Sequence, residues 1–348
     1  MTSTETKWDS VVARIPDDRV IVFCEEKLLR FDIDNGTDLS LTIFVSPEKL
    51  TKASPDVFMF EPNWPNKEQR VDKMPSDNPQ AMLILLAIIH DEKRFIPDKV
   101  CVVQLYGLLA HARQFGLTGS LGPHLQDWMP TEKERTDSPD KEYIAWIAWE
   151  IGAKEIYNEM VNNLGSMCSG DGKGSIQWPE TPDPIEEYLA EARITDDIAK
   201  VRNRLLGFMF TELRKIMKFG ENDSKHCLEI EPTDSNLNHD PCTGLIRTMM
   251  TAESLTTIWG EQGFDVALLF DQDVSKHPDY SGSATELRNT LLSVEVNYDE
   301  LHDHCNPFEG MKRKLGDESY LEHLDLVSTQ EKLDQFQARA QISGWKPQ

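Results

Sequence analysis

Basic residues are scarce in this 348-residue chain: 36 Lys and Arg stand against 60 Asp and Glu, a net charge of −24. That balance argues against holding a phosphate backbone by bulk electrostatics, which needs a basic surface that releases counterions. Long hydrophobic runs are lacking too. The longest, residues 81–89, falls far short of the roughly 20 residues a membrane span requires. Residues 1–9 are polar and contain no apolar stretch of the kind that marks a secretory signal. The expectation is a soluble intracellular protein with neither a nucleic-acid nor a membrane partner, nucleus and cytoplasm being left open. Cysteine is sparse at six residues, and without a signal peptide free or metal-binding thiols are expected over a disulfide framework. Cys24 and Cys101 lie in or beside apolar runs and read as small buried side chains. Hydrophobic residues make up only 39%, so polar loops should surround the core. The length suits two domains, or one with a large extension.

Residues 1–18 read as a flexible lead-in. Strands follow at residues 20–23, at 29–33 with period-two alternation, and at 39–45, with Asn35-Gly36 as the turn between the last two. Ser46-Pro47-Glu48 is a helix entry, with Ser as N-cap and Pro in the first turn. Residues 61–72 have the composition of a loop. Residues 76–89, capped by Ser76 or Asp77 and apolar on every side from Ala81, predict a central buried helix. After Pro97, Leu105, Leu108, Leu109, Ala112 and Phe115 fall at helical spacing. Charged residues 131–142 read as a linker. A mainly helical region is expected over 143–330, with a Gly/Ser/Pro-rich loop at 165–184. Its long amphipathic helix carries Ile194, Ile198, Val201, Leu205 and Phe208 on one face. Another loop over 220–241 leads to a helix over 245–258, and 331–348 reads as a frayed tail.

This order resembles a known family. Phe44-Val45-Ser46-Pro47-Glu48-Lys49-Leu50, followed by Ser54-Pro55-Asp56-Val57-Phe58, is similar to the strand-to-helix entry of the BTB/POZ domain. Asp77-Asn78-Pro79-Gln80-Ala81-Met82 resembles the start of its next helix. Ile88-Ile89-His90, Ile96-Pro97 and Leu105-Tyr106-Gly107-Leu108-Leu109-Ala110 look like the form found in a group of fungal BTB/POZ proteins. The likeness covers residues 20–129 closely and extends loosely to about residue 325. Two departures stand out: Val45-Ser46-Pro47 occupies the place of a usual His-bearing turn, and the loop around Trp64 is idiosyncratic. The resemblance implies an α+β domain over residues 19–130, a small mixed sheet with helices, followed by a mainly helical C-terminal extension. It implies a non-enzymatic protein that works by binding: homodimerisation, recruitment of a protein partner, or service as substrate adaptor of a cullin-type ubiquitin ligase.

Chemistry is expected in one place. His239-x-x-Cys242 and His302-x-x-Cys305 are two His-x-x-Cys pairs, and His226-Cys227 adds a doublet. His239, Cys242, His302 and Cys305 together would supply a tetrahedral structural zinc site. The protein would then be a zinc-stabilised regulator, or a zinc enzyme if a coordination position stayed open beside a base. Coincidence competes with this reading, since nine histidines and six cysteines produce some such pairs by chance. No catalytic set is assigned. Gly170–Ser175 lacks P-loop spacing, Asp32–Gly36 lacks the calcium-loop glutamate, and Trp128, Trp146 and Trp149 read as packing residues rather than a ligand cage.

Overall fold

In the computed structural model, period-two alternation puts Leu29, Phe31 and Ile33 of one strand opposite Val45, Ile43 and Leu41 of the next, all buried on one face. On the other face Asp32 accepts hydrogen bonds from Arg30 and from Thr42 Oγ1, both at 2.9 Å. The strands are β1 (Val20–Val22), β2 (Leu29–Asp34), β3 (Ser40–Val45) and β4 (Gln69–Met74), in the order β1-β3-β2-β4. β2 and β3 are antiparallel, while β1 on β3 and β4 on β2 are parallel. The architecture is α+β, with helices predominating over this small mixed sheet. The structure describes residues 9–24, 29–34, 40–55, 69–74, 78–170, 176–177, 189, 191–221, 280–293, 307–317 and 329–346.

The described chain forms two units, one of Met1–Met160 with Val327–Gln348 and one of Val161–Leu326. In the first, helix α1 (Asp9–Val12) stands within the expected lead-in, where Val11 is fully buried. α2 (Pro47–Ala53) starts as expected, with Ser46 Oγ accepting from Lys49 N–H. α3 (Pro79–His90) is the predicted buried helix, but its cap is Asn78 rather than Ser76 or Asp77. Asn78 Oδ1 accepts from Ala81 N–H at 2.9 Å, and Pro79 sits at the position where its missing N–H costs nothing. Residues 81–87 of α3 are buried all round, each large side chain contributing about 1.5–3 kcal/mol. β4 occupies part of the expected 61–72 loop. An edge strand bonds on one side only, so its sequence need not be apolar.

α4 (Val102–Gln114) packs against α3 and begins at Cys101. Cys101 is exposed, not buried, because an N-cap side chain stands outside its helix; the Gln104 side chain accepts from its N–H at 2.9 Å. After α5 (Gly122–Trp128), the expected linker 131–142 holds α6 (Glu132–Asp137). Arg135 ties that segment down, donating to Glu159 at 2.8 Å and to the Pro130 carbonyl. The division between units falls at Met160 and Val161, within α8 (Lys154–Met167), which follows α7 (Lys141–Ile151).

In the second unit, β5 (Ser169–Gly170) pairs with β6 (Ile176–Gln177), and α9 (Ile194–Glu221) carries the predicted stripe. Ile194, Ile198, Val201 and Leu205 are buried as expected. Gly165, expected in a loop, is helical: a Cβ there would lie 2.5 Å from Val201, so this glycine permits the two helices to touch. α10 (Ala284–Ser293) and α11 (Pro307–Gly316) pack on α9. α12 (Gln330–Ser343) replaces the expected tail and belongs to the first unit, where Phe336, Ser343 and Trp345 are buried.

Candidate functional site

The backbone of β1 offers the first candidate, a sheet edge. Thr42 N–H donates to the Arg19 carbonyl and Phe23 N–H to the Phe44 carbonyl. Parallel pairing alternates, so residues 19, 21 and 23 turn their peptide groups to β3 while Val20 and Val22 turn theirs outward. Val20 N–H is taken by Asp18 Oδ1 at 3.2 Å. Among the described residues only β3 pairs with β1, and Val22 is 42% exposed. An outward peptide row beside an exposed valine can accept a strand from another chain.

Behind that edge lies His90, the last residue of α3. Its Nε2 accepts from Ser46 N–H at 2.9 Å, and its Nδ1 lies 2.8 Å from the Leu86 carbonyl, which places the proton on Nδ1. Phe23 stacks on the ring at 5.3 Å, and Lys49 Nζ donates to the His90 carbonyl at 3.1 Å. Burial lowers the imidazole pKa and Lys49 adds to this, against the Leu86 carbonyl and Glu92. Both nitrogens bond backbone groups, so the ring fastens the β3–α2 junction to α3.

The tryptophans pack, each with its own neighbours. Trp146 lies edge-on to Tyr106, and Trp128 Nε1 donates to the Pro97 carbonyl at 3.0 Å. Trp149 meets Phe336 of α12 edge-on at 5.0 Å, with the Arg339 guanidinium 4.7 Å over its ring. Phe336 also contacts Tyr157, whose phenol burial pushes further above its ordinary pKa. Arg339 donates to the buried Glu150 carboxylate at 2.7 Å, and Ser343 Oγ to the Ile151 carbonyl at 2.7 Å. Sequence reading missed this helix seat. Phe336, Arg339, Ala340 and Ser343 do stand at helical spacing, but one aromatic among polar residues is a weak signal.

In the second unit Arg202 is buried and donates to backbone carbonyls of Cys168, Tyr280 and Gly282. Such bonds fix loops. Burial pushes the Tyr280 phenol up to about 12, Glu286 adding to it and Arg202 opposing. Burial alone would raise the Glu212 carboxyl, but hydrogen bonds from Lys215 and Lys314 outweigh it and hold its pKa below the usual range.

His239, Cys242, His302 and Cys305, with His226-Cys227 and the 245–258 helix, lie outside the described residues. Among the described residues, no group of three or more His, Cys, Asp and Glu side chains is placed to hold a metal ion. Nor, among them, is any helix long and apolar enough to cross a membrane. Compared with protein-family models, curated proteins and solved structures, the chain matches none.

Proposed function

We propose that this chain is a non-enzymatic protein–protein interaction protein whose N-terminal residues 19–130 act as a BTB/POZ-like domain, pairing with a second copy or recruiting a protein partner. The outward-facing peptide groups and exposed Val22 of β1 are the observation that carries the reading. The element order supports it as well: three strands, a capped helix, a fourth strand, then the apolar α3 packed on α4. The strands, the capped helix and the apolar α3 stand in the order of the resemblance, while β4 stands where that order has a loop. A net charge of −24 favours a basic or neutral partner, by complementarity of potentials.

Sedimentation of the full chain tests the reading, with Val22→Glu as the variant. A dimer that becomes monomeric in Val22→Glu, with the melting temperature unchanged, is the expected result. A wild-type chain that stays monomeric and also fails to capture a purified cullin would remove both self-pairing and the ligase-adaptor form of recruitment.

A further inference from the structure

The seat of α12 in the first unit is cut to the shape of this one helix. Three glycines of the receiving surface have α12 backbone where a side chain would stand. A Cβ on Gly152 would lie 2.4 Å from Ala340 N, one on Gly122 would lie 2.6 Å from the Ser343 carbonyl oxygen, and one on Gly119 2.9 Å from that of Ile342. Around this close approach are a ring pocket for Phe336, formed by Trp149 and Tyr157, and a buried carboxylate, Glu150, for Arg339. The Ile151 carbonyl, left over at the C-terminus of α7, accepts from Ser343. Side chains on the far face of α12 are exposed, Ile342 at 64%. Aromatic pocket, charge and hydrogen bond each read one residue of a helical ligand, as in other helix-in-groove recognition.

That ligand is covalently remote from its seat: residues 161–326 belong to the other unit and intervene between the two parts of the first. We propose that the α12 seat is an exchangeable helix-binding site, and that α12 of a second copy of this chain docks in it. All the contacts are the same in cis and in trans, so the two forms differ only in the connecting segment and in effective concentration. The closed form dominates in dilute solution. Reciprocal exchange appears when the cis partner is disabled or the chain is concentrated. The site is separate from the β1 edge and does not depend on it.

Complementation between two full-length chains tests this, both carrying Val22→Glu so that the sheet edge does not contribute. One has the seat closed by Gly152→Leu and α12 intact. The other has the seat intact and α12 disabled by Phe336→Ala with Arg339→Ala. Each alone is expected to sediment as a monomer, and their equimolar mixture to contain a species of twice the monomer mass that grows with concentration. Folded variants that remain monomeric together would overturn the proposal.

A second experiment avoids both variants. A protease site is placed within residues 318–328 of the otherwise native chain and cut after folding, and a labelled peptide of residues 329–346 is added. Uptake of the peptide, about tenfold or more weaker for its Phe336→Ala form, is the expected result. No uptake, equal uptake of the two peptides, or unfolding of the nicked chain would each sink the idea.

Discussion

A ring held neutral by its surroundings makes stability depend on pH, and His90 is such a ring. Burial and Lys49 lower its pKa from the ordinary 6.5. The unfolded chain, with the ordinary value, therefore binds the proton first as pH falls. The contribution of neutral His90 is fully present above about pH 6.5 and is lost as pH falls from there towards the lower folded value. One such group changes stability by at most about 1.4 kcal/mol per pH unit. Between pH 7 and pH 5 the urea midpoint of the native chain should drop relative to that of His90→Gln, which starts from a lower midpoint, and the same pH response in both proteins would refute this role. Gly152 carries a different constraint. Its φ of +80° ends α7 in the left-handed region, and a Cβ would meet Ala340 backbone. Gly152→Ala should cost at least about 1 kcal/mol for the backbone conformation alone, with the displacement of α12 added, read as a lower midpoint in urea.

Elements were legible in the sequence to the extent that their own residues specify them. The alternation of β2 and β3, the all-apolar α3 and the stripe of α9 are strong local signals, and each forms where its pattern stands. What escaped depends on partners far along the chain. β4 exists because β2 offers it an unpaired edge, and α6 is held by an arginine reaching 24 residues ahead to Glu159. α12 is the clearest instance. One buried aromatic in fourteen helical residues gives little amphipathic signal, and the pocket that makes Phe336 valuable lies some 180 residues earlier, at Trp149 and Tyr157. The four proposed zinc ligands lie outside the described residues. The two faces of α12 should thus differ in energy from what hydrophobicity alone suggests. Phe336→Ala removes a ring packed on two others and should cost about 3–5 kcal/mol. Ile342→Ala, on the exposed face, should stay within about 0.5 kcal/mol. Chemical denaturation of the two variants checks the contrast, and comparable losses would mean that α12 does not pack as described.

Over the whole molecule, charge of one sign sets the terms. A net charge of −24 spread over 348 residues places many carboxylates within reach of one another's fields, and the compact state concentrates that repulsion. Against it stand the ion pairs that the fold makes specific, among them Glu150 with Arg339 and Glu212 with Lys314. Salt acts on these two classes unequally. Raising ionic strength from 0.01 to 0.15 M shortens the screening length from about 30 to about 8 Å. Diffuse repulsion between exposed carboxylates operates over such distances and is largely removed. The pairs at Glu150 and Glu212 are in contact, at 2.7 and 2.6 Å, with carboxylates that are buried, and are screened much less. Exposed pairs such as Arg94 with Glu92 are worth about 0–1 kcal/mol and lose little. The melting temperature at pH 7 should therefore rise as sodium chloride is added over this range and level off beyond it. Potassium chloride should act alike, since screening depends on ionic strength and not on the identity of a monovalent ion. A melting temperature that falls with salt would mean that attractive pairs, rather than the excess of carboxylates, dominate the electrostatics of the folded chain.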